Sequence, residues 1–514
     1  MSTGANRPNI LFIMSDQHHA GILGCAGDAV AHTPALDGLA AAGVRFTNAY
    51  CPFPLCGPSR MSFMTCRHPH ELGLWDNDGE LHTDIPTMVH SFLAGGYDTI
   101  LSGRMHFAGH DQRHGFAARL LGDVPESVYI SAGWKLQRVL GDLADTPGMS
   151  LTGLTKSGPG RTGYHAYDEA VTRVTVDWLR ERGHANAGKP FFLTVGYASP
   201  HCPFVAPPED FERFAGRIGA GDLPAPGGAL HPVNADRRKR FQTDPPPPLD
   251  AQWRTRVAYY GLCAFLDRQV EAVLGALRDA GLTEDTLLVY TSDHGEMLGE
   301  HGMWWKSTFY DGACRVPLLV SWPGRIEGGR AIGRNVSLMD IGTTFLDLAG
   351  IEPLPGASGR SFRSLLSGKS EGWDDAVFAE YAEPGRPSRM VRRGPWKYNY
   401  YPGSRPELFN LEDDPGESND LWDDPQLAAV RGELHEIVLQ GWDPDRVAER
   451  TRRREKERAL IANWVRATNP PEPDPLWFDR PPENWVDNSG RCPAGGISNI
   501  ECSITKSKGR AKPT

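Results

Sequence analysis

Four short apolar runs in this chain end in the same way, and no other feature constrains its fold so strongly. Ile10-Leu11-Phe12-Ile13-Met14 leads into Ser15-Asp16-Gln17-His18, and Tyr97 to Leu101 leads into Gly103-Arg104-Met105-His106. Phe191 to Val195 leads to Ser199-Pro200-His201, and Thr286 to Tyr290 leads to Ser292-Asp293-His294. Unbroken apolar runs of this length suit strands covered on both faces, as in a parallel sheet. Helical patterns lie between them: Thr33-Pro34 opens one as cap and first turn, Tyr167 to Glu181 carries a second, and Tyr259 to Ala280 a third that stops at Gly281. Strands alternating with helices predict an α/β fold, a large mostly parallel sheet sandwiched by helices. In such sheets ligands bind beyond the carboxyl ends of the strands, so the four polar clusters are expected to meet at one site.

Beyond residue 370 the pattern changes. Ala376 to Ala379, Ser388 to Arg392 and Trp396 to Tyr400 read as short antiparallel strands, with a further strand at Arg405 to Asn410 and an amphipathic helix near Leu427 to Leu439. The expected division is a catalytic domain over 1–370, a small C-terminal α/β domain with an antiparallel sheet over 371–445, and a tail over 446–514. That tail, first Arg-rich and then Pro/Trp-rich, is expected to act as an oligomerisation arm of a dimer or tetramer. The stretch from Gly216 to Asp250, with four consecutive prolines, is expected to be a surface loop.

Charge and cysteine content restrict the partners. The 54 Lys+Arg against 64 Asp+Glu leave a net charge of −10, which argues against nucleic acid while allowing an anion in a local basic pocket. Nine cysteines, an odd number, leave at least one outside any intramolecular disulfide, and a reducing, cytoplasmic setting is expected. No apolar run approaches the roughly 18 residues of a membrane span, and no basic leader precedes an apolar stretch, so neither membrane nor secretion is expected.

The chemistry-bearing residues suggest an anion handled beside a cation. Asp16, Asp293 and His294 form a candidate cation site, open to calcium, magnesium or manganese through the carboxylates and to a transition metal through the imidazole. Cys56, in Cys56-Gly57-Pro58-Ser59-Arg60, has the setting of a nucleophile at a helix start. Arg60, Arg104 and Lys306 offer positive charge to a tetrahedral oxyanion, and His106 and His201 are candidate proton carriers. Trp75 and Trp305 are candidates for a substrate-binding aromatic face, or else ordinary core.

The pentapeptide Cys56 to Arg60 matches the C-x-P-S-R signature of type I sulfatases, in the alkaline-phosphatase-like superfamily. Arg7 to Gln17 resembles that family's opening strand, and Asp293-His294-Gly295-Glu296 with Lys306 resembles its later metal-binding segment. Gly103 to Phe107 and Asp111 to Phe116 lean toward the choline-sulfatase-like branch. The resemblance implies that Cys56 is oxidised to formylglycine by a formylglycine-generating maturation enzyme. One hydroxyl of the aldehyde hydrate would attack the sulfur of a small organic sulfate ester, and the second would expel sulfate. Asp16, Cys56, Asp293 and His294 would hold a divalent metal, calcium foremost, with Gln17 as a fifth ligand. His106 would be the base for sulfate expulsion, Arg60 would steady the nucleophile, and His201 and Lys306 would bind sulfate oxygens. Two departures stand out: Arg104 occupies a position where the family usually has Lys, and Gln17 one where many members have an acid. The second brings phosphonate monoester hydrolases and phosphodiesterases on the same scaffold into play as the alternative.

Overall fold

In the computed structural model, which describes residues 7–109, 111–123, 148–185, 188–224 and 230–468, the four apolar runs are β1 (Asn9–Ser15), β3 (Asp98–Gly103), β6 (Phe191–Gly196) and β8 (Thr286–Ser292). With β2 (Val44–Tyr50), β4 (Ala118–Leu121), β9 (Arg315–Ser321) and β10 (Arg330–Ser337) they build an eight-stranded sheet in the order β10-β2-β9-β8-β1-β6-β3-β4. The four predicted runs are therefore neighbours at its centre. Only β9 runs against the rest, pairing antiparallel with both β2 and β8. The pairs Ser15↔Ser292, Met14↔Gly196 and Gly103↔Gly196 hold the strand ends level, so their polar continuations emerge at one edge.

The central strands are buried on both faces. Ile10, Phe12 and Met14 enter one core cluster with Phe63, Phe192 and Phe345, while Leu11 and Ile13 enter the other with Leu193, Val195 and Tyr290. Each such fully buried side chain contributes roughly 2 kcal/mol against exposure, and a one-residue slip of β1 would exchange the two sets. Helices Gly163–Ala185 and Leu249–Asp279 cover one face, and Cys56–Thr65 with Leu338–Leu348 the other. A minor pair, β5 (Gly158–Pro159) and β7 (Val205–Ala206), lies beside the helix Leu249–Asp279.

The C-terminal strands behave as expected: β11 (Ala376–Glu383), β12 (Arg386–Arg393), β13 (Trp396–Tyr400) and β14 (Glu407–Asn410) form an antiparallel meander. Helix Ala428–Val438 packs Leu434 and Val438 on Val391, Tyr398 and Leu408. A buried ion cluster ties this sheet to the large one. Lys397 donates to Asp311 (2.8 Å) and Glu417 (2.7 Å), and Asp311 accepts from the hydroxyl of Tyr50 at the end of β2 (2.9 Å).

The expected loop from 216 to 250 contains a helix, Pro232–Arg240. Every residue from Asp236 to Arg240 is charged, yet Asn234 and Arg237 are buried, with the Arg237 guanidinium over the Tyr381 ring at 4.5 Å. Tertiary packing overrides the polar composition there. The Arg-rich first part of the tail lies in a helix, Pro444–Thr468, while the Pro/Trp-rich remainder lies outside the described residues.

Candidate active site

Cys56 is the first residue of the helix Cys56–Thr65, which follows β2 and is buried along its whole length. Buried polar groups need partners, and here the partners assemble a site. Ser59 donates to the carbonyl of Asp293 (2.6 Å), and the Gly57 N–H donates to Oδ1 of Asn77 (2.9 Å). Arg60, fully buried, donates through Nε to Asp293 Oδ2 (2.7 Å), and through Nη2 to Asp16 Oδ2 (3.2 Å) and the Ser15 carbonyl (3.3 Å). One guanidinium thus joins the ends of β1 and β8 to the helix that begins at Cys56. Arg104 reaches the same point from β3. At Gly103 the backbone has φ +89°, and a Cβ would lie 2.3 Å from the Gly196 carbonyl oxygen, so only glycine lets the chain turn there.

The remaining faces of these carboxylates converge. Oδ1 of Asp16 and Oδ1 of Asp293 each lie 3.7 Å from Nε2 of His294, and Cys56 Sγ lies 3.1 Å from that nitrogen and 3.5 Å from Asp16 Oδ1. His294 Nδ1 meets the Gly295 carbonyl at 2.9 Å, so Nδ1 carries the proton and the Nε2 lone pair faces the cluster. Burial holds the His294 pKa below its ordinary value, so the ring is neutral. Ligand atoms of Asp16, Cys56, Asp293 and His294 all lie within 4.8 Å of one another. A lone pair, two carboxylate oxygens and a sulfur facing a common point fit a divalent cation, because the charged donors, Arg60 and Arg104, sit on the Oδ2 atoms of the carboxylates.

Positive charge surrounds the cluster. Arg104 Nε donates to Asp16 Oδ2 (2.7 Å), and Lys306 Nζ lies 3.3 Å from Cys56 Sγ. Burial works to raise the Asp16 carboxyl, but Arg104, His201, Arg60 and Lys306 overcome it and hold the group well below the usual carboxylate range. Burial likewise works to discharge Lys306, and the Cys56 and Asp16 groups reverse that, leaving it raised and protonated. Arg60, Arg104 and Lys306 thus bring three fixed positive charges to the cluster, a setting that suits an anionic ligand.

Gln17 bridges rather than points alone: its Oε1 accepts from Lys306 (2.6 Å) and its Nε2 donates to Glu296. Its backbone is left-handed at φ +70°, and its N–H donates to Asp293 Oδ1 (3.1 Å). Glu296 also accepts from the Trp305 N–H (2.7 Å), which fixes the loop carrying Lys306. Burial and the nearby Arg104 lower the His106 pKa well below its ordinary value. His201 approaches with its ring edge-on to Tyr164 at 6.1 Å.

The two tryptophans pack in apolar clusters. Trp305 is fully buried in the core with Phe241 and Tyr259, and Trp75 packs with Phe53, Trp442 and Val447 beneath the Arg450 guanidinium. Sequence reasoning missed Glu296, Asn77, Tyr164 and Asp123 as site residues. Glu296 carried a signal, being the last residue of Asp293-His294-Gly295-Glu296; the others acquire a role only through contacts distant in sequence.

Residues 8–351 match the sulfatase family model, and 299–441 match that of the N-sulphoglucosamine sulphohydrolase C-terminal region. The chain is 33% identical to the choline-sulfatase of Rhizobium meliloti over 466 residues, 87% of each protein. It is 27% identical to arylsulfatase K of Danio rerio, covering 89% of this chain and 88% of that one. Its fold resembles the phosphonate monoester hydrolase of Agrobacterium radiobacter with a TM-score of 0.71 and 26% identity, covering 84% of this chain and 95% of that one.

Proposed function

The chain belongs to the sulfatase family and is a sulfuric ester hydrolase, and on that footing we propose that it hydrolyses the sulfate ester of a small organic alcohol through a formylglycine made from Cys56. The observation that carries this reading is the position of Cys56 Sγ, at 3.1 Å from His294 Nε2, 3.3 Å from Lys306 Nζ and 3.5 Å from Asp16 Oδ1. In formylglycine an oxygen on the same Cβ would take the place of this sulfur. The hydrate of formylglycine would supply two hydroxyls on one carbon, one to attack sulfur with departure of the alcohol and the other to expel sulfate as the aldehyde re-forms.

Asp16, Asp293 and His294 would hold the divalent cation together with residue 56, and Gln17 lies beside them. Such an ion would supply Lewis-acid polarisation of the nucleophile and the sulfate. The oxygen-dominated donor set favours calcium, with magnesium or manganese as the alternatives. Lys306 and Arg104 neutralise charge on the bound sulfate, Arg60 fixes both carboxylates, and His201 stands ready to protonate the departing alcohol. Maturation requires a formylglycine-generating enzyme as partner. The seven described cysteines are all free thiols, which supports a cytoplasmic location. The described helix Pro444–Thr468, with Leu460 and Ile461 exposed, supports a homo-oligomer built through the C-terminal tail. No helix among the described residues is long and apolar enough to cross a membrane.

The 33% identity to a choline-sulfatase makes choline sulfate the first substrate to try. The fold likeness to a phosphonate monoester hydrolase, and Gln17 where an acid would add negative charge, favour phosphonate monoesters as the second reading. A panel of choline sulfate, an aryl sulfate, a sulfated sugar, a phosphonate monoester and a phosphodiester separates the two. The highest kcat/KM is expected for a sulfate ester; a phosphorus ester turned over faster than every sulfate would reverse the order.

A further inference from the structure

Asp123, two residues beyond the end of β4, organises the approach of β3 to the site. Its Oδ2 accepts the backbone N–H of Met105 (2.9 Å) and that of His106, and its Oδ1 lies 3.5 Å from Arg104 Nη1. Those donors belong to three consecutive residues gathered on one carboxylate. The backbone of His106 is left-handed at φ +59°, a conformation that a residue with a side chain adopts only when its surroundings impose it. The Asp123 contacts are what impose it here.

Arg104 then fixes the ring. Its Nε donates to Asp16 Oδ2 (2.7 Å), and its Nη2 meets Nδ1 of His106 at 2.9 Å. A guanidinium has only donors, so Nδ1 must accept, and the proton of the neutral ring resides on Nε2. In that state the Nδ1 lone pair is engaged by Arg104, and the other nitrogen, Nε2, carries a proton. These contacts present His106 as an Nε2–H donor, where the family resemblance implies a base. The planar fork of Arg104 serves Asp16, Asp123 and His106 together, which an ammonium point charge would not do with the same geometry. The arginine in place of the usual lysine and the carboxylate at 123 form one device.

We infer that Asp123 is a positioning residue of the sulfate-ester hydrolase, holding Arg104 and the Met105–His106 backbone so that His106 enters the site as an Nε2–H donor to an oxygen of the substrate. The inference rests on the proposed function for the identity of that oxygen, but not for the state of the ring.

Histidine-selective ¹⁵N labelling of the full-length protein tests it, with His106 assigned by its disappearance in His106→Gln. Long-range ¹H–¹⁵N correlations are expected to show His106 as the neutral Nε2–H tautomer. In Asp123→Asn that single-tautomer pattern is lost, and kcat falls about ten- to a hundredfold, the usual cost of removing an outer hydrogen-bond partner of a site residue. Arg104→Lys, which removes the fork but keeps the charge, gives the same spectroscopic change, and it decides the matter if Asp123→Asn does not fold. An Nδ1–H tautomer or an imidazolium at His106 in the wild-type protein overturns the inference. So does an unchanged His106 pattern in the variants, whatever their activity. The Nε2–H pattern in a protein that hydrolyses no sulfate ester would sink the functional reading and leave the positioning role standing.

Discussion

Cys56→Ala is expected to abolish turnover, with kcat lower by on the order of 10⁴-fold or more, the scale at which loss of a covalent nucleophile is felt. The residue is fully buried at the start of a helix, and alanine keeps both the helix start and the close approach of Gly57 to Asn77. Stability should change by about 1 kcal/mol, the cost of deleting one buried atom with partial relaxation. Catalytic loss without unfolding is the expected signature, read as kcat on a chromogenic sulfate ester beside a thermal unfolding curve. Cys66→Ala is the matched control. That thiol lies at the other end of the same helix, where burial pushes it up to about 12, and it should be dispensable for turnover.

Arg60→Met should damage both fold and activity. The guanidinium is fully buried and donates to Asp16, Asp293 and the Ser15 and Arg104 carbonyls at once. Methionine fills much of the volume but leaves two buried carboxylates short of their shared cation. Removing one partner of a buried ion pair costs about 3–5 kcal/mol, most of it the penalty on the charge left behind. Because a divalent cation at Asp16, Asp293 and His294 would compensate the same charge, added calcium should restore part of the lost stability. It should not restore turnover, since Asp293 loses the contact that aims it. Denaturant unfolding with calcium and with chelator, paired with kcat, measures both effects.

The central part of this site is legible in the sequence because the sheet geometry is. Asp16, Arg104, His201 and Asp293 follow apolar runs, and strands covered on both faces leave no other place for a polar cluster than their ends. β2, which delivers Cys56, was less visible. Its apolar residues alternate with half-buried Arg45, Thr47 and Asn48, and no polar cluster directly follows it. The helix Pro232–Arg240 was hidden by its own charge, since the burial of Arg237 depends on Tyr381 and Glu383, far along the chain. Gln17 could be picked out as a position but not understood: its meaning comes from Glu296 and Lys306, 279 and 289 residues away. Trp305 adjoins Lys306 in sequence, yet its backbone N–H serves Glu296 while its ring fills the core. Contacts that join distant segments decide orientation, and local pattern carries no trace of them.

The chemical state of residue 56 tests the account most directly. Protein produced together with a formylglycine-generating enzyme and shown to hydrolyse a sulfate ester is digested, and the peptide containing Cys56-Gly57-Pro58-Ser59-Arg60 is weighed by mass spectrometry. The account expects that peptide at the mass of formylglycine, in a fraction that tracks specific activity across preparations. A fully active preparation in which residue 56 is found only as unmodified cysteine would contradict it.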